Sequence, residues 1–220
     1  MPSLAEKYRP QTWAEVIGQP RAVDSLRQIG ARGGYGGRAY FITGASGTGK
    51  TTLARIIAAE VADRFCTEEL DGSKLTADKV REIERNMQIY GWGKGGRAWI
   101  INECHGMRAD TMRQLLTLLE PDGGGLRPHV CIIFTTTSDG ADQLFEDNID
   151  ASPLLSRCTV VALGRRDLAE VFAVRAQEIA KAEGLDGAPL ERYKRLAKDC
   201  KNNMRMMLSH IELGELARVQ

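Results

Sequence analysis

Gly44-Ala45-Ser46-Gly47-Thr48-Gly49-Lys50-Thr51 matches the spacing G-x-x-x-x-G-K-[ST] and stands between an apolar run and a stretch of helical period. Its glycines let the backbone curl until successive N–H groups face one point. The helix opening there adds a partial positive charge, and the two together make a cradle for phosphate. Lys50 is suited to neutralise β and γ phosphates and the Thr51 hydroxyl to reach a bound Mg2+, with Thr52 following on the helix. A solvated glycine turn would explain the loop's composition but not a strand before it and a helix after it.

Outward from this loop, short apolar, β-rich runs recur at 39–43, 98–101, 130–134 and 159–163, separated by segments of helical period. That alternation predicts a parallel sheet with helices on both faces. Leu53, Ile56, Ile57 and Val61 after the first run, and Met112, Leu115, Leu116 and Leu119 after the second, mark crossover helices. From about Arg165 the strand signals stop. Leu168, Val171, Phe172, Ala176 and Ile179 then mark an amphipathic helix, and breaks at 183–187 and 198–203 separate it from two more helical patterns. The expected organisation is an α/β nucleotide-binding domain over 1–164 and a small three-helix lid over 165–220. Glycine-rich basic stretches at 32–38 and 91–97 read as solvated turns, with Lys94 and Arg97 as minor candidates for DNA contact.

Composition narrows the partners. Thirty Lys and Arg against 29 Asp and Glu leave a net charge of +1, so contact with nucleic acid has to be local rather than driven by a global field. Five cysteines, widely spaced and without a Cys-x-x-Cys pair, argue against a disulfide framework or a zinc site and fit a reducing cytoplasm. No apolar stretch approaches the length of a membrane span, so no membrane partner is expected.

A second motif follows the loop. Trp99-Ile100-Ile101-Asn102-Glu103 has the form of a Walker B strand, whose last two residues are usually Asp and Glu: the first holds hydrated Mg2+ and the second polarises the attacking water. Here Asn102 takes the metal-facing position without a charge, through water, and Glu103 is the expected base.

With these pieces in view the chain resembles the AAA+ clamp-loader ATPases, the family of the bacterial DNA polymerase III gamma/tau subunit and the small subunits of replication factor C, with phage counterparts. The opening Glu6-Lys7-Tyr8-Arg9-Pro10, continuing to Val16-Ile17-Gly18-Gln19, is similar to that family's N-terminal signature, which implies that Arg9, Pro10, Val16 and Ile17 line the adenine pocket. Leu115-Leu116-Thr117-Leu118-Leu119-Glu120-Pro121 resembles the helix end after Walker B. Thr135-Thr136-Thr137 stands where sensor 1 belongs, which implies Thr136 as the sensor. Leu154-Leu155-Ser156-Arg157-Cys158 resembles the Ser-Arg-Cys motif, whose arginine reaches the neighbouring subunit's ATP; a planar, always-charged guanidinium suits charge developing on a γ-phosphoryl group. Asn203-Met204-Arg205-Met206 resembles the sensor 2 segment, which implies Arg205 on the γ-phosphate.

The resemblance covers nearly the whole chain and implies a five-stranded sheet, ATP and Mg2+ as cofactors, and a pentameric assembly with other clamp-loader subunits. It further implies a sliding clamp and primer-template DNA as partners, in a bacterial or phage-infected host cytoplasm. Three departures accompany it: Asn102 for aspartate, no four-cysteine zinc module, and an end just after the sensor 2 helix, where the family continues into a collar. The missing collar implies either a piece of a longer chain or a compact, viral-type form, which, if natural, is held together by AAA+ contacts or by other proteins. Asn102 keeps open a nucleotide-binding structural subunit of weak hydrolysis, and the fold class keeps open another AAA+ machine such as a branch-migration motor. Arg81 and Arg85, on an expected helix, are weak candidates for DNA contact.

Overall fold

The computed structural model describes residues 2–120, 125–137 and 152–216; Pro121, the end of the helix-end motif, lies outside them. Five strands, β1 (Arg38–Gly44), β2 (Thr67–Asp71), β3 (Arg97–Asn102), β4 (Val130–Thr136) and β5 (Cys158–Leu163), form one sheet in the order β2-β3-β4-β1-β5. Every neighbouring pair is parallel. Four of the strands are the apolar runs of the sequence. The fifth, β2, reads Thr67-Glu68-Glu69-Leu70-Asp71 and sits at the sheet edge against β3 alone, where a half-solvated strand needs no continuous apolar run.

Strand periodicity divides the sheet's side chains between two faces. Tyr40, Ile42, Ile100, Cys131 and Ile133 pack under α2 (Pro20–Gly33) and α3 (Lys50–Val61), against Leu26, Leu53 and Ile57. Phe41, Trp99, Ile101, Ile132 and Phe134 point the other way. They meet Val80 and Ile83 of α4 (Ala77–Asn86) and Met112, Leu115 and Leu119 of α5 (Ala109–Leu119). The short helices α1 (Leu4–Lys7) and α6 (Ser152–Ser156) stand before the first of these layers and before β5.

Beyond β5 the chain forms α7 (Ala169–Ala182), α8 (Leu190–Asp199) and α9 (Met204–Glu212). Leu168, Phe172, Ala176 and Ile179 enter a third core with Tyr193, Met207 and Ile211. Val171, expected on the same face, is exposed, since its direct neighbour Phe172 already holds the inward direction and consecutive helical residues point about 100° apart. Leu4 also enters this core, with Tyr8 and Ile17 packed against it, so the N-terminal segment is anchored on the three helices. Among the described residues no helix is long and apolar enough to cross a membrane.

Candidate nucleotide-binding site

The phosphate loop begins where β1 ends, at Gly44 beside Leu163 of β5, and runs into α3 at Lys50. Lys50 is buried, and its Nζ donates to the carbonyls of Gly44 at 2.8 Å and Ala45 at 3.1 Å. Thr48 Oγ1 donates to the same Ala45 carbonyl at 2.8 Å. Burial pushes the Lys50 ammonium below its ordinary value; the Glu103 charge opposes that shift, while Arg205 and Arg165 add to it. Three cations thus bear on the loop with one nearby acid, an electrostatic setting made for an anion.

Gln19 links the loop to the exit of the sheet, its Nε2 reaching the Thr48 carbonyl at 3.5 Å. Its Nε2 donates to the Gly164 carbonyl at 2.8 Å, and its Oε1 accepts from the Gly164 N–H at 3.1 Å. Gly164 is the residue from which the chain leaves β5 for the three helices.

At the end of β3, Asn102 Oδ1 accepts from Thr51 Oγ1 at 3.3 Å and from Thr135 Oγ1 at 2.8 Å. Two neutral oxygens on adjacent side chains suit Mg2+, which takes hard oxygen donors, keeps several waters and is completed by phosphate. Among the described residues no group of three or more His, Cys, Asp or Glu could hold a metal by itself. Glu103 follows with φ 48°, a left-handed conformation rare for a glutamate and a mark of a site held against local preference. The turn opposite makes room for it: a β-carbon at Gly72 would lie 2.6 Å from the Glu103 carbonyl oxygen.

A single cleft collects most of the expected residues. Arg9, Pro10, Val16, Ile17, Ser46, Gly47, Thr48, Gly49, Lys50, Thr51, Thr52, Glu103 and Arg205 all line it. Gly44 and Ala45 lie beneath, holding Lys50 by their carbonyls. Arg9 is anchored at the rim by Glu6 at 2.6 Å and by Thr52 at 3.2 Å. The three helices contribute Phe172, Arg175, Ile179, Met204 and Leu208, none of which was singled out from the sequence as a site residue. Phe172 and Ile179 read there only as helix-core periodicity, and Met204 and Leu208 only as part of the segment around Arg205; the cleft wall becomes visible once the helices are folded over the loop.

Asn102, Thr136 and Arg157 lie outside that lining. Thr136 is fully buried, and its hydroxyl meets His105 Nδ1 at 2.9 Å; His105 in turn stands 3.5 Å from Glu103 Oε2. Thr135, its neighbour on the opposite face of β4, is the threonine that touches Asn102. Arg157 precedes β5, at the end of the strand remote from the phosphate loop. Its guanidinium donates to the Pro153 carbonyl at 2.8 Å and to Glu120 Oε1 at 2.9 Å. Lys94 donates through Nζ to the Ala59 carbonyl of α3, Arg97 through Nε to the Ile89 carbonyl, and Arg81 pairs with Asp78 one turn away. Arg85 is exposed on α4.

Comparisons with known proteins follow the same lines. The family described as "ATPase family associated with various cellular activities (AAA)" matches residues 40–161. Protein STICHEL-like 1 of Arabidopsis thaliana is 28% identical over 210 residues, covering 84% of this chain and 18% of the plant protein. Replication factor C small subunit 1 of Pyrobaculum arsenaticum is 27% identical, covering 82% of this chain and 52% of its own length. The DNA polymerase III subunit tau of Salmonella typhimurium is 31% identical over 61% of this chain and 24% of its own. This chain therefore spans between under a fifth and about half of these relatives. Among solved structures, the RuvB Holliday junction branch migration motor of Thermotoga maritima superposes with a TM-score of 0.68 over 93% of this chain and 64% of that one, at 21% identity, a likeness of fold.

Proposed function

This chain belongs to the AAA family of ATPases, and on that premise we propose that it is an ATP-binding and hydrolysing subunit of a sliding-clamp loader whose ATP sites are shared between neighbouring subunits. Arg9, Pro10, Val16 and Ile17 hold the base, the loop from Gly44 to Thr52 holds the phosphates, and Arg205 reaches the γ-phosphate from the lid. Glu103 orients the attacking water and accepts its proton, with Thr136 acting on it through His105. Mg2+ bound beside Thr51 and Asn102 supplies neutralisation of the phosphate charge. The same reading divides the chain at 164/165 into an α/β domain and a lid and sets it in the cytoplasm. Its partners are other loader subunits in a pentamer, a clamp and primer-template DNA.

The observation that carries the shared site is the position of Arg157. Cys158 and Leu163 bound β5, with Leu163 beside Gly44 at the loop. At about 3.3 Å per residue the strand sets Arg157 roughly 15–20 Å from its own loop. An arginine that sits in this family motif and is that far from its own phosphates is suited to a neighbour's. The relatives named replication factor C and DNA polymerase III favour a clamp-loading assembly over the branch-migration reading, which rests on a likeness of fold.

The test is Mg2+-dependent ATP turnover with and without a sliding clamp and primer-template DNA. Stimulation by the two together supports the proposal. Capture of neither clamp nor primed DNA in the presence of ATP would turn the assignment toward another AAA machine.

A further inference from the structure

Asn102 removes a negative charge from the place where this site is expected to face Mg2+, and the edge strand beside it carries a carboxylate that meets the asparagine's amide from the other side. Asn102 Nδ2 donates to Glu69 Oε1 at 2.7 Å, across from β3 to β2. Glu69 is held in turn by Arg55 of α3, through Nε to Oε2 at 2.8 Å and a longer contact to Oε1 at 3.4 Å. Arg55 is itself shared with Glu6, at 3.6 Å.

The chemistry of these groups permits one orientation of the amide. A carboxylate can only accept, so the Asn102 nitrogen must face Glu69. The amide oxygen is thereby turned to the other side, where the Thr51 and Thr135 hydroxyls donate to it. An unrestrained asparagine could present either end to Thr51, and its NH2 end would repel a cation. An aspartate needs no such restraint, because both its oxygens are acceptors.

We propose that Glu69 is a positioning residue for the metal end of the site: it locks the Asn102 amide with its oxygen toward Thr51 and polarises that oxygen, replacing part of what an aspartate would provide. The inference rests on the reading of Thr51 and Asn102 as the Mg2+ end. It makes Asn102 and Glu69 a unit, an amide on β3 held by an acid on β2.

The experiment measures the affinity of a fluorescent ADP analogue, in EDTA and in Mg2+, for the wild-type chain, Glu69→Ala and the double variant Glu69→Gln with Asn102→Asp. Wild type binds more tightly with Mg2+. In Glu69→Ala the affinity in EDTA stays at the wild-type value while the gain from Mg2+ falls about tenfold, the usual consequence of removing an outer partner of a metal ligand. The double variant, which returns the acid to the β3 position and keeps a hydrogen bond of reversed polarity, recovers the Mg2+ gain. The inference is overturned if Glu69→Ala keeps the full gain, or loses affinity equally in both conditions, or if the double variant fails to recover it. Absence of any Mg2+ gain in wild type would instead remove the metal reading of Thr51 and Asn102, and this inference with it.

Discussion

Asn203 stands against Gly47 so closely that a β-carbon on the glycine would lie 2.0 Å from Asn203 Oδ1. Asn203 is the cap of α9, its Oδ1 accepting from the Met206 N–H at 3.2 Å, and Gly47 lies in the phosphate loop with φ 77°. The start of the helix that carries Arg205 is thereby packed directly against the loop, which couples the placement of α9 to the loop's conformation. Gly47→Ala should weaken nucleotide binding by about tenfold or more, since it adds a left-handed alanine, costing roughly 1–2 kcal/mol, to a contact the lid cannot accommodate. Adding Asn203→Ala relieves the contact but not the backbone strain. The double variant should therefore bind better than Gly47→Ala alone, and a double-mutant cycle on nucleotide affinity reads the coupling.

Glu103 is kept in a left-handed conformation by a turn that has a glycine opposite it, and that arrangement aims its carboxylate into the cleft. Glu103→Gln preserves shape and removes the basic oxygen. ATP affinity should stay within a few-fold of wild type while turnover falls about 100- to 10,000-fold. Equilibrium binding and single-turnover hydrolysis, measured on the same preparation, separate the two.

Burial pushes the Cys131 and Cys158 thiols up to about 12 and raises Cys104 still further. In the unfolded chain a thiol ionises near 8.5. Between roughly pH 9 and 12 the unfolded state has therefore released protons that the folded state retains, and stability falls as pH rises, by up to about 1.4 kcal/mol per pH unit for each such thiol. Below pH 8 these groups contribute no pH dependence. Urea unfolding at pH 7.5 and pH 10 should show the loss. A thiol reagent at pH 8 should leave the fully buried Cys104 and Cys131 unlabelled in the native protein and reach all five free cysteines in urea.

Tyr193 is fully buried in the core of the three C-terminal helices, and its hydroxyl donates to Asp186 Oδ1 at 2.6 Å. Tyr193→Phe keeps the packing and leaves the acid without that donor, so it should cost about 1–2 kcal/mol. In a chain of this length that is a Tm decrease of roughly 2–8 °C, read by calorimetry.

The fold was legible wherever burial imposes a simple pattern. The runs ending at Thr43, Ile101 and Phe134 are buried on both faces and announce themselves as strands, and the phosphate loop is fixed by spacing alone. Strand β2 gave no such signal, because Glu68 and Glu69 look out from a sheet edge; yet that strand brings Glu69 to Asn102, a contact nothing in the local sequence announces. The contribution of the three C-terminal helices to the cleft was hidden for a related reason. Phe172 and Leu208 serve a helical core and the cleft together, and periodicity reports only the first. Thr136 shows the limit of reading a run of three threonines: strand alternation sends Thr135 to Asn102 and Thr136 to His105, and only the register of β4 decides which goes where.

The central claim, a site completed by a neighbour's Arg157, is tested most directly by mixing two inactive variants. Arg157→Ala keeps its own Glu103 and lacks the proposed finger; Glu103→Gln keeps Arg157 and lacks the proposed base. In a 1:1 mixture some interfaces pair an intact Glu103 with an intact Arg157. The account predicts that ATP turnover in the mixture rises well above the sum of the two variants and grows more than linearly with protein concentration. Turnover that merely equals that sum at every concentration, with both variants binding nucleotide, would contradict it, as would an Arg157→Ala chain that hydrolyses ATP at the wild-type rate.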